Sequence, residues 1–533
     1  MVNDFGESNC KFQLFQAFTG FFASSFLSCF LGKNLLPFWV CEKIVCFVTS
    51  IIAQIPEKWE VFLYYFFTRQ SCFFFYCDEH PVHVTGNILK PQKIKKASCI
   101  PTKQKSLAEI PKTMYTVFVE EVCFMETIKN VLVGQSGGPT AVINASLAGV
   151  YETARAMGAE HVYGMRYGIQ GLLQEQIVDL NECLSDKMDI ELLKRTPASY
   201  LGSCRFRLPN PDVDEEPYKQ LFHLFEKYEI GAVFYIGGND SMDTIARLAA
   251  YGAKVKSSIR FIGVPKTIDN DLMFTDHTPG YGSAAKYIAA TIKGIICDSS
   301  VYNLNSVTVV EIMGRHTGWL AGAASLAAGA DCNGPDMILL PERAFDEEAF
   351  LAKVAQLEKE RHTLVIAVSE GVKNKDGEFL CDLVSGPGAV DAFGHKAALS
   401  GTARYLADLI KAHLGCKTRA VELSVLQRCA SPLASRTDVT EAYQVGGAAV
   451  EAAFRGETGK MCTIYRVSDI PYRTETGLTD VSRVANKEKC VPDEWISEDG
   501  MHVTPEFARY ARPLIQAELH PFYVDGVPRH LHL

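Results

Sequence analysis

Val264-Pro-Lys-Thr-Ile-Asp-Asn-Asp271 follows the short, mostly apolar run 259–264, which reads as a buried strand. Two carboxylates, Asp269 and Asp271, together with Lys266 and Thr267, therefore stand where a strand ends and a loop begins. Pro265 has no backbone donor and biases Val264 toward extended geometry, so the strand is expected to stop there. The residues after it then face the crevice at the carboxyl edge of a sheet, where open α/β sheets bind ligands. A polar turn with solvated charges would use the same residues, and the loops on either side decide between the two readings.

Upstream, residues 128–134 form a short apolar strand, followed by the glycine loop Gln135-Ser-Gly-Gly-Pro-Thr140. Ile143, Leu147, Val150, Ala154 and Met157 then recur at helical spacing, with Gly158 as the stop. Strand, glycine loop and helix together make a phosphate cradle: Gly137 and Gly138 let the backbone approach an anion, and the helix N-terminus offers free N–H groups. The loop is neither a Walker A motif nor a dinucleotide fingerprint. Residues 231–238 repeat the pattern, leading into Gly237-Gly-Asn-Asp-Ser241 and a helix to about Tyr251, which Gly252 is expected to end. Asp240 either caps that helix or holds a negative charge inside a phosphate crevice. Between the two units, Arg205 and Arg207 read as phosphate clamps or as surface residues.

Downstream, Gly280-Tyr-Gly282 opens another helix, and the β-branched strand 306–312 empties into Met313-Gly-Arg-His-Thr-Gly318. Arg315, at a strand end beside glycines, is placed for a phosphoryl group, whereas His316 reads as a hydrogen-bonding residue and not a metal ligand. The strand 363–369 ends in Glu370-Gly371, and 419–426 is read as a further strand ending at Arg428. This alternation implies an α/β fold with doubly wound parallel sheets and functional residues at successive strand ends. Residues 438–454 read as an amphipathic helix packing back onto the first unit. Beyond Thr458 the pattern loosens, and 471–533 looks loop-rich.

The chain has 533 residues and a net charge of −9, which suggests two to four domains and argues against a nucleic-acid partner. Composition breaks near Met125: eight of the 17 cysteines and more than half of the 31 phenylalanines lie before it. The nine later cysteines show no zinc spacing and read as buried free thiols of a reducing cytoplasm. In the first 124 residues the uncharged run 14–31 has the length of a membrane span. A signal peptide fits poorly, since there is no basic n-region. The stretch lacks the capping and turn logic of a folded domain, so upstream sequence preceding a start at Met125 is the preferred reading, with a membrane anchor as the alternative.

Gly137-Gly138, the Gly-Gly-Asn-Asp-Ser loop, Pro-Lys-Thr-Ile-Asp-Asn-Asp, Met-Gly-Arg, Ser-Glu-Gly and Gln427-Arg428, in this order, resemble the 6-phosphofructokinase family over roughly residues 128–454. More narrowly they look like its pyrophosphate-dependent branch, which transfers a phosphoryl group reversibly from pyrophosphate to fructose 6-phosphate. The resemblance implies two Rossmann-like domains with the active site in the cleft between them: a donor domain of 125–280, with 429–490 packing back, a sugar-phosphate domain of 281–428, and a C-terminal extension of 491–533. It implies Mg2+ as cofactor, a cytoplasmic location, and a homodimer or homotetramer; membrane contact would follow only if residues 1–124 are genuine.

Carried onto this sequence, Asp269 matches the general base, with Thr267 and Asp271 flanking it in the substrate and magnesium site. Met313, Gly314 and Arg315 match the sugar-phosphate loop, Glu370 the acid that binds sugar hydroxyls, and Arg419 and Arg428 the arginines on the 6-phosphate, the former reaching in from a neighbouring subunit. Gly138, beside Gly137, matches the glycine at the donor phosphates, and Asn239 the position of the metal-binding acid. ATP-using relatives carry glycine at position 240 and a small residue at 266. A carboxylate at Asp240 would repel a nucleotide's α-phosphate, and Lys266 would offer a cation to the phosphoryl group in flight. Asn239 departs from the family's aspartate, Ser306 stands near a common phosphate-binding arginine, and Val425 replaces a histidine or tyrosine. The alternatives are an ATP-dependent 6-phosphofructokinase and, from another class, a non-catalytic regulatory subunit, which has little reason to keep Asp269, Asp271 and Arg315.

Overall fold

The computed structural model describes residues 128–533 apart from 302 and 386–398, so the expectations for residues 1–124 lie outside the described residues. The apolar runs read above become parallel strands that are buried on both faces. In β1 (Asn130–Gln135), Val131 and Val133 enter one core cluster while Leu132 enters the other. In β4 (Ile230–Gly237), Phe234 and Ile236 face the first cluster, and Val233 and Tyr235 the second. Near-continuous hydrophobic sequence is what a sheet covered by helices on both sides demands.

With β2 (His161–Met165), β3 (Ile177–Asp179), β5 (Arg260–Pro265), β10 (Lys460–Asp469) and β11 (Tyr472–Asp480), these strands form a seven-stranded sheet of order β11-β10-β5-β4-β1-β2-β3. Its interior is parallel, as expected, and the edge strands β3 and β11 run antiparallel to their neighbours. Short returns can join antiparallel strands at an edge without another crossover helix. The second sheet, all parallel, has the order β7-β8-β6-β9, from β6 (Ser306–Ile312), β7 (Met337–Leu339), β8 (Thr363–Ser369) and β9 (Lys417–Glu422). The fold is thus α/β with two Rossmann-like doubly wound units.

Helices α1 (Ile143–Ala156), α2 (Asn239–Lys254) and α3 (Tyr281–Ser299) follow β1, β4 and β5. Gly252 does not end α2: it lies inside the helix, where a side chain would meet the Phe261 ring at 3.1 Å, and the helix runs on to Lys254. Helix α4 (Thr402–Leu414) packs on the second sheet, and α5 (Arg436–Phe454) crosses α1 at very short range. A Cβ at Gly149 would lie 2.1 Å from the Tyr443 carbonyl oxygen, and one at Gly446 2.2 Å from that of Ser146. Glycine at both positions lets the two backbones touch, so the 438–454 segment packs back onto the first unit.

Two further readings are corrected. The 419–426 strand ends at Glu422 and gives way to a 3-10 turn, Ser424–Arg428. The C-terminal region is not loose: β10 continues the first sheet by pairing with β5, and Val491, Ile496, Val503, Phe507, Ala511 and Leu514 complete the second unit's core around Tyr281 and Trp319. The nine described cysteines are free, but only Cys381 and Cys462 are buried.

Candidate active site

Five of the loops singled out in the sequence leave the carboxyl end of a strand, whereas the one with Arg205 and Arg207 follows the helix Lys187–Arg195. Gly137 and Gly138 follow β1, Asn239 and Asp240 follow β4, and 266–271 follows β5; Met313 to Arg315 follow β6 and Glu370 follows β8. The glycine loop is fixed from below. Gln135, fully buried, donates to Asn144 Oδ1 at 2.9 Å and accepts the Leu201 N–H at 2.9 Å, while Ser203 Oγ donates to the Gly137 carbonyl at 2.7 Å. Gly137 has φ +76°, open to glycine at no steric cost.

Lys266 is 2% exposed, and its Nζ donates to the Gly138 carbonyl at 2.6 Å, tying the β5 loop to the β1 loop. Burial drives its ammonium down to about 8, against the pull of Asp269, Asp271 and Asp240, and Arg428 pushes the same way as burial. The amine is thus a desolvated cation in a pocket of opposite charges, poised for an anion.

Asp269 is shaped by a turn in which its N–H donates to Thr267 Oγ1 at 3.1 Å, while Thr317 Oγ1 donates to its carbonyl at 3.1 Å. Burial raises its carboxyl, and Lys266, Arg315, His316 and Arg428 act in the opposite direction. Asp271 is pushed up to about 7 by burial and by Asp269, and its Oδ1 is a buried oxygen with no hydrogen-bond partner among the described residues. Asn270, between them, adopts φ +55° and is held by Tyr510, whose hydroxyl accepts from Nδ2 at 2.8 Å, and by Thr278, whose N–H donates to Oδ1 at 3.0 Å.

From the second sheet, Glu370 is raised to about 8 by burial, with Asp269 and Glu311 adding to it and Arg315 opposing. The glycine after it is required by packing, since a Cβ at Gly371 would lie 1.9 Å from the Arg315 carbonyl oxygen. The Met313 N–H donates to Gln427 Oε1 at 3.2 Å, so the buried Gln427 couples the 313–315 loop to the turn carrying Arg428. Arg428 sits beside the glycine loop, where a Cβ at Gly138 would be 3.2 Å from its guanidinium.

Among the residues singled out, Asp240, Lys266, Asp269, Asp271, Arg315, Glu370 and Arg428 are linked by their charges across the loops of both sheets, and Gly137 and Gly138 lie against Lys266 and Arg428; Thr267, Met313 and Gly314 share those loops. Asp240 lies in the first turn of α2, and the cap position belongs to Gly238, so capping does not explain this carboxylate. Arg419 is not brought in. It lies half-exposed on the edge strand β9 and pairs with Asp298 at 3.1 Å. Asn239, expected at the position of the metal-binding acid, bonds through its amide to the backbone of residues 486 and 487.

Three participants escaped the sequence reading. Lys489 is brought under the 266–271 loop, where its N–H donates to the Asp271 carbonyl at 2.7 Å, and burial lowers its ammonium to about 8. Glu488 meets His316 Nδ1 at 2.6 Å, and Tyr510 holds Asn270. In sequence these residues sit in charged or loop-rich text with no period, and no local signal distinguishes them from solvated residues.

A family model described as Phosphofructokinase matches residues 130–453. The chain is 41% identical over 409 residues to the pyrophosphate-fructose 6-phosphate 1-phosphotransferase of Methylococcus capsulatus, covering 76% of this chain and 96% of that protein. It is 42% identical over 404 residues to the protein of the same name from Halomonas elongata, covering 75% and 95%. The fold matches the solved structure of a pyrophosphate-dependent phosphofructokinase from Nitrosospira multiformis with a TM-score of 0.68 and 39% identity, covering 75% of this chain and 95% of that one.

Proposed function

The chain belongs to the phosphofructokinase family, and from that premise we propose that it transfers a phosphoryl group from pyrophosphate to fructose 6-phosphate, reversibly, giving fructose 1,6-bisphosphate and phosphate. One observation supports the choice of donor beyond the relatives' names. The buried Lys266 is bonded to the Gly138 carbonyl in a pocket whose charge it shares with Asp240.

In this reading the first sheet carries the donor loops and the second the sugar-phosphate loops. Asp269 takes the proton from the sugar's primary hydroxyl as that oxygen bonds to the near phosphorus, and the bridging P–O bond breaks to release phosphate. A carboxyl raised by burial is a better base than a solvated one. Lys266 and Arg315 neutralise the charge spread over the equatorial oxygens, so catalysis consists mainly of positioning and electrostatics. Glu370 is assigned to the sugar hydroxyls and Arg428 to phosphate at the junction of the two loops.

The family's divalent cation is a hard ion of the magnesium kind, and the partnerless Oδ1 of Asp271 is an oxygen donor that fits it. Among the described residues no three His, Cys, Asp or Glu side chains are grouped to hold a metal, so Asp271 would share the ion with diphosphate oxygens. When bound, it supplies charge neutralisation on those oxygens.

A homodimer or homotetramer is proposed on the position of Arg419, half-exposed on the edge strand β9, where an arginine serving a neighbour's site would stand. The free thiols favour a cytoplasmic location. A coupled assay offering pyrophosphate and ATP in parallel tests the function: kcat/KM at least about 100-fold higher with pyrophosphate is expected. Comparable use of ATP would reject the donor assignment.

A further inference from the structure

Residues 486–489 touch three of the loops of the site, those after β4, β5 and β6. Asn239 Oδ1 accepts the Asn486 N–H at 2.5 Å, and its Nδ2 donates to the Lys487 carbonyl at 2.5 Å. Asn486 also reaches Asp243 Oδ1 at 3.3 Å, and its φ of +60° turns the chain toward the catalytic loop. Glu488 then meets His316 of the sugar loop at 2.6 Å, and the Lys489 N–H donates to the Asp271 carbonyl at 2.7 Å. Beyond it, Lys489 Nζ donates to the carbonyls of Thr275 and Asp276 at 3.2 and 2.8 Å, and Trp319 Nε1 donates to the Lys489 carbonyl at 2.7 Å.

The two partners of Asn239 are backbone groups of fixed polarity, one that only donates and one that only accepts. A single short side chain satisfies both only if it accepts and donates at once with the reach to span them, which an amide does and a carboxylate does not. Aspartate here would keep the bond from the Asn486 N–H but set an anion against the Lys487 carbonyl.

We propose that Asn239 is a positioning residue for the diphosphate: it latches the 486–489 strap and so fixes the donor loop, with Asp240 on it, against the catalytic loop. The inference rests on the reading of the β4 loop as donor loop. The strap acts through backbone bonds at both ends, so releasing the Asn239 end lets the donor loop shift relative to Asp271 while the sugar side, held by Gln427 and Gly371, stays in place.

The test is Asn239→Asp and Asn239→Ala in the full chain, with steady-state kinetics and limited tryptic cleavage at the exposed Lys487. Both variants are expected to raise KM for pyrophosphate at least tenfold, leave KM for fructose 6-phosphate within twofold, and be cut severalfold faster at Lys487. Should Asn239→Asp fail to fold, Asn239→Ser, which keeps an oxygen but loses the reach to Lys487, reads the same split. A normal KM for pyrophosphate with a lower magnesium requirement in Asn239→Asp would mean that position 239 serves the metal, and would overturn the proposal. Unchanged cleavage would also overturn it. Cleavage needs no activity, so an inactive wild type would sink the functional reading while the latch is still tested.

Discussion

His277 is 1% exposed and lies between two carboxylates, with Nδ1 at 2.7 Å from Asp276 Oδ1 and Nε2 at 2.7 Å from Glu441 Oε2. Arg466 from β10 also binds Asp276, while Tyr472 and Thr474 from β11 donate to the other oxygen of Glu441. Burial alone would lower the imidazole, but Glu441 and Asp276 outweigh it and hold it at about 9. Each tenfold change in proton affinity is about 1.4 kcal/mol, so a rise from 6.5 in the unfolded chain to about 9 corresponds to about 3 kcal/mol of stability. Because the folded value is the higher one, this contribution is complete below about pH 6.5, retains about 2.5 kcal/mol at pH 7, and is nearly gone at pH 10. The carboxylates act in the opposite sense. Burial is outweighed by His277, both are held low, and their contribution is lost as pH falls below about 4. Replacing His277 by Gln leaves two buried carboxylates without their shared cation and is expected to cost about 3–5 kcal/mol at pH 7. Scanning calorimetry of wild type and His277→Gln between pH 7 and 10 reads the difference. For a chain of this size about 1–2 °C accompanies each kcal/mol, so the gap in Tm is expected to narrow by about 3–5 °C as pH rises. A gap that stays constant or widens over that range would refute a charged, ion-paired His277.

Four further outcomes are expected. Asp269→Ser lowers kcat by about 10²–10⁴-fold in both directions with KM for fructose 6-phosphate nearly unchanged, and near-normal turnover in a steady-state assay would reject Asp269 as the base. Asp240→Gly combined with Lys266→Gly raises kcat/KM for ATP at least tenfold while costing about 10²–10³ in turnover with pyrophosphate, as parallel coupled assays would read. Gly371→Ala forces a Cβ to within 1.9 Å of the Arg315 carbonyl, so the 313–315 loop must shift; overpacking of about 1–3 kcal/mol and a weaker KM for the sugar phosphate are expected. Phe507→Ala opens the core beneath Trp319, whose ring centroid is 5.9 Å away; a loss of about 3–5 kcal/mol is expected in denaturant unfolding followed by tryptophan fluorescence.

The parallel strands were legible because burial on both faces leaves an apolar run between a glycine or polar start and a functional loop, as at 230–237 and 306–312. The glycine loops are legible because Gly137 needs its φ of +76° and a Cβ at Gly237 would lie 1.8 Å from Ser241 Oγ. What local sequence hides is where an edge strand bends away, as β9 does at Glu422, and which face a charge takes. Arg419 and Arg428 look alike in sequence, yet one lies on an edge strand against Asp298 and the other on a turn that reaches the glycine loop. Strands β10 and β11 escape the sequence reading because they carry charges on exposed positions, and β10, on which β11 pairs, joins the sheet through β5, a contact across nearly 200 residues that no periodicity reports. The partners of Asn239 are hidden for a related reason: they are backbone groups distant in the chain.

The charges in the cleft show why a segment so far along the chain is needed to build it. Burial pushes Asp271 and Glu370 up to about 7 and 8 and draws Lys266 down to about 8, so both signs of charge are held where their ionised forms are disfavoured. Carboxylates in that condition gain most from a cation, and a lysine gains most from an anion. A metal diphosphate delivers both together, which makes the strain in the separate groups complementary to one ligand. Holding like charges such as Asp269 and Asp271 in one loop requires a scaffold that cannot relax them into solvent. Asn270, buried with φ +55°, provides the turn, while Tyr510 and the Lys489 N–H fix it from the C-terminal side. The loop proposed as catalytic is therefore written at 264–271, but its geometry is enforced by residues more than 200 positions later, and variants there should alter turnover through position and not through chemistry.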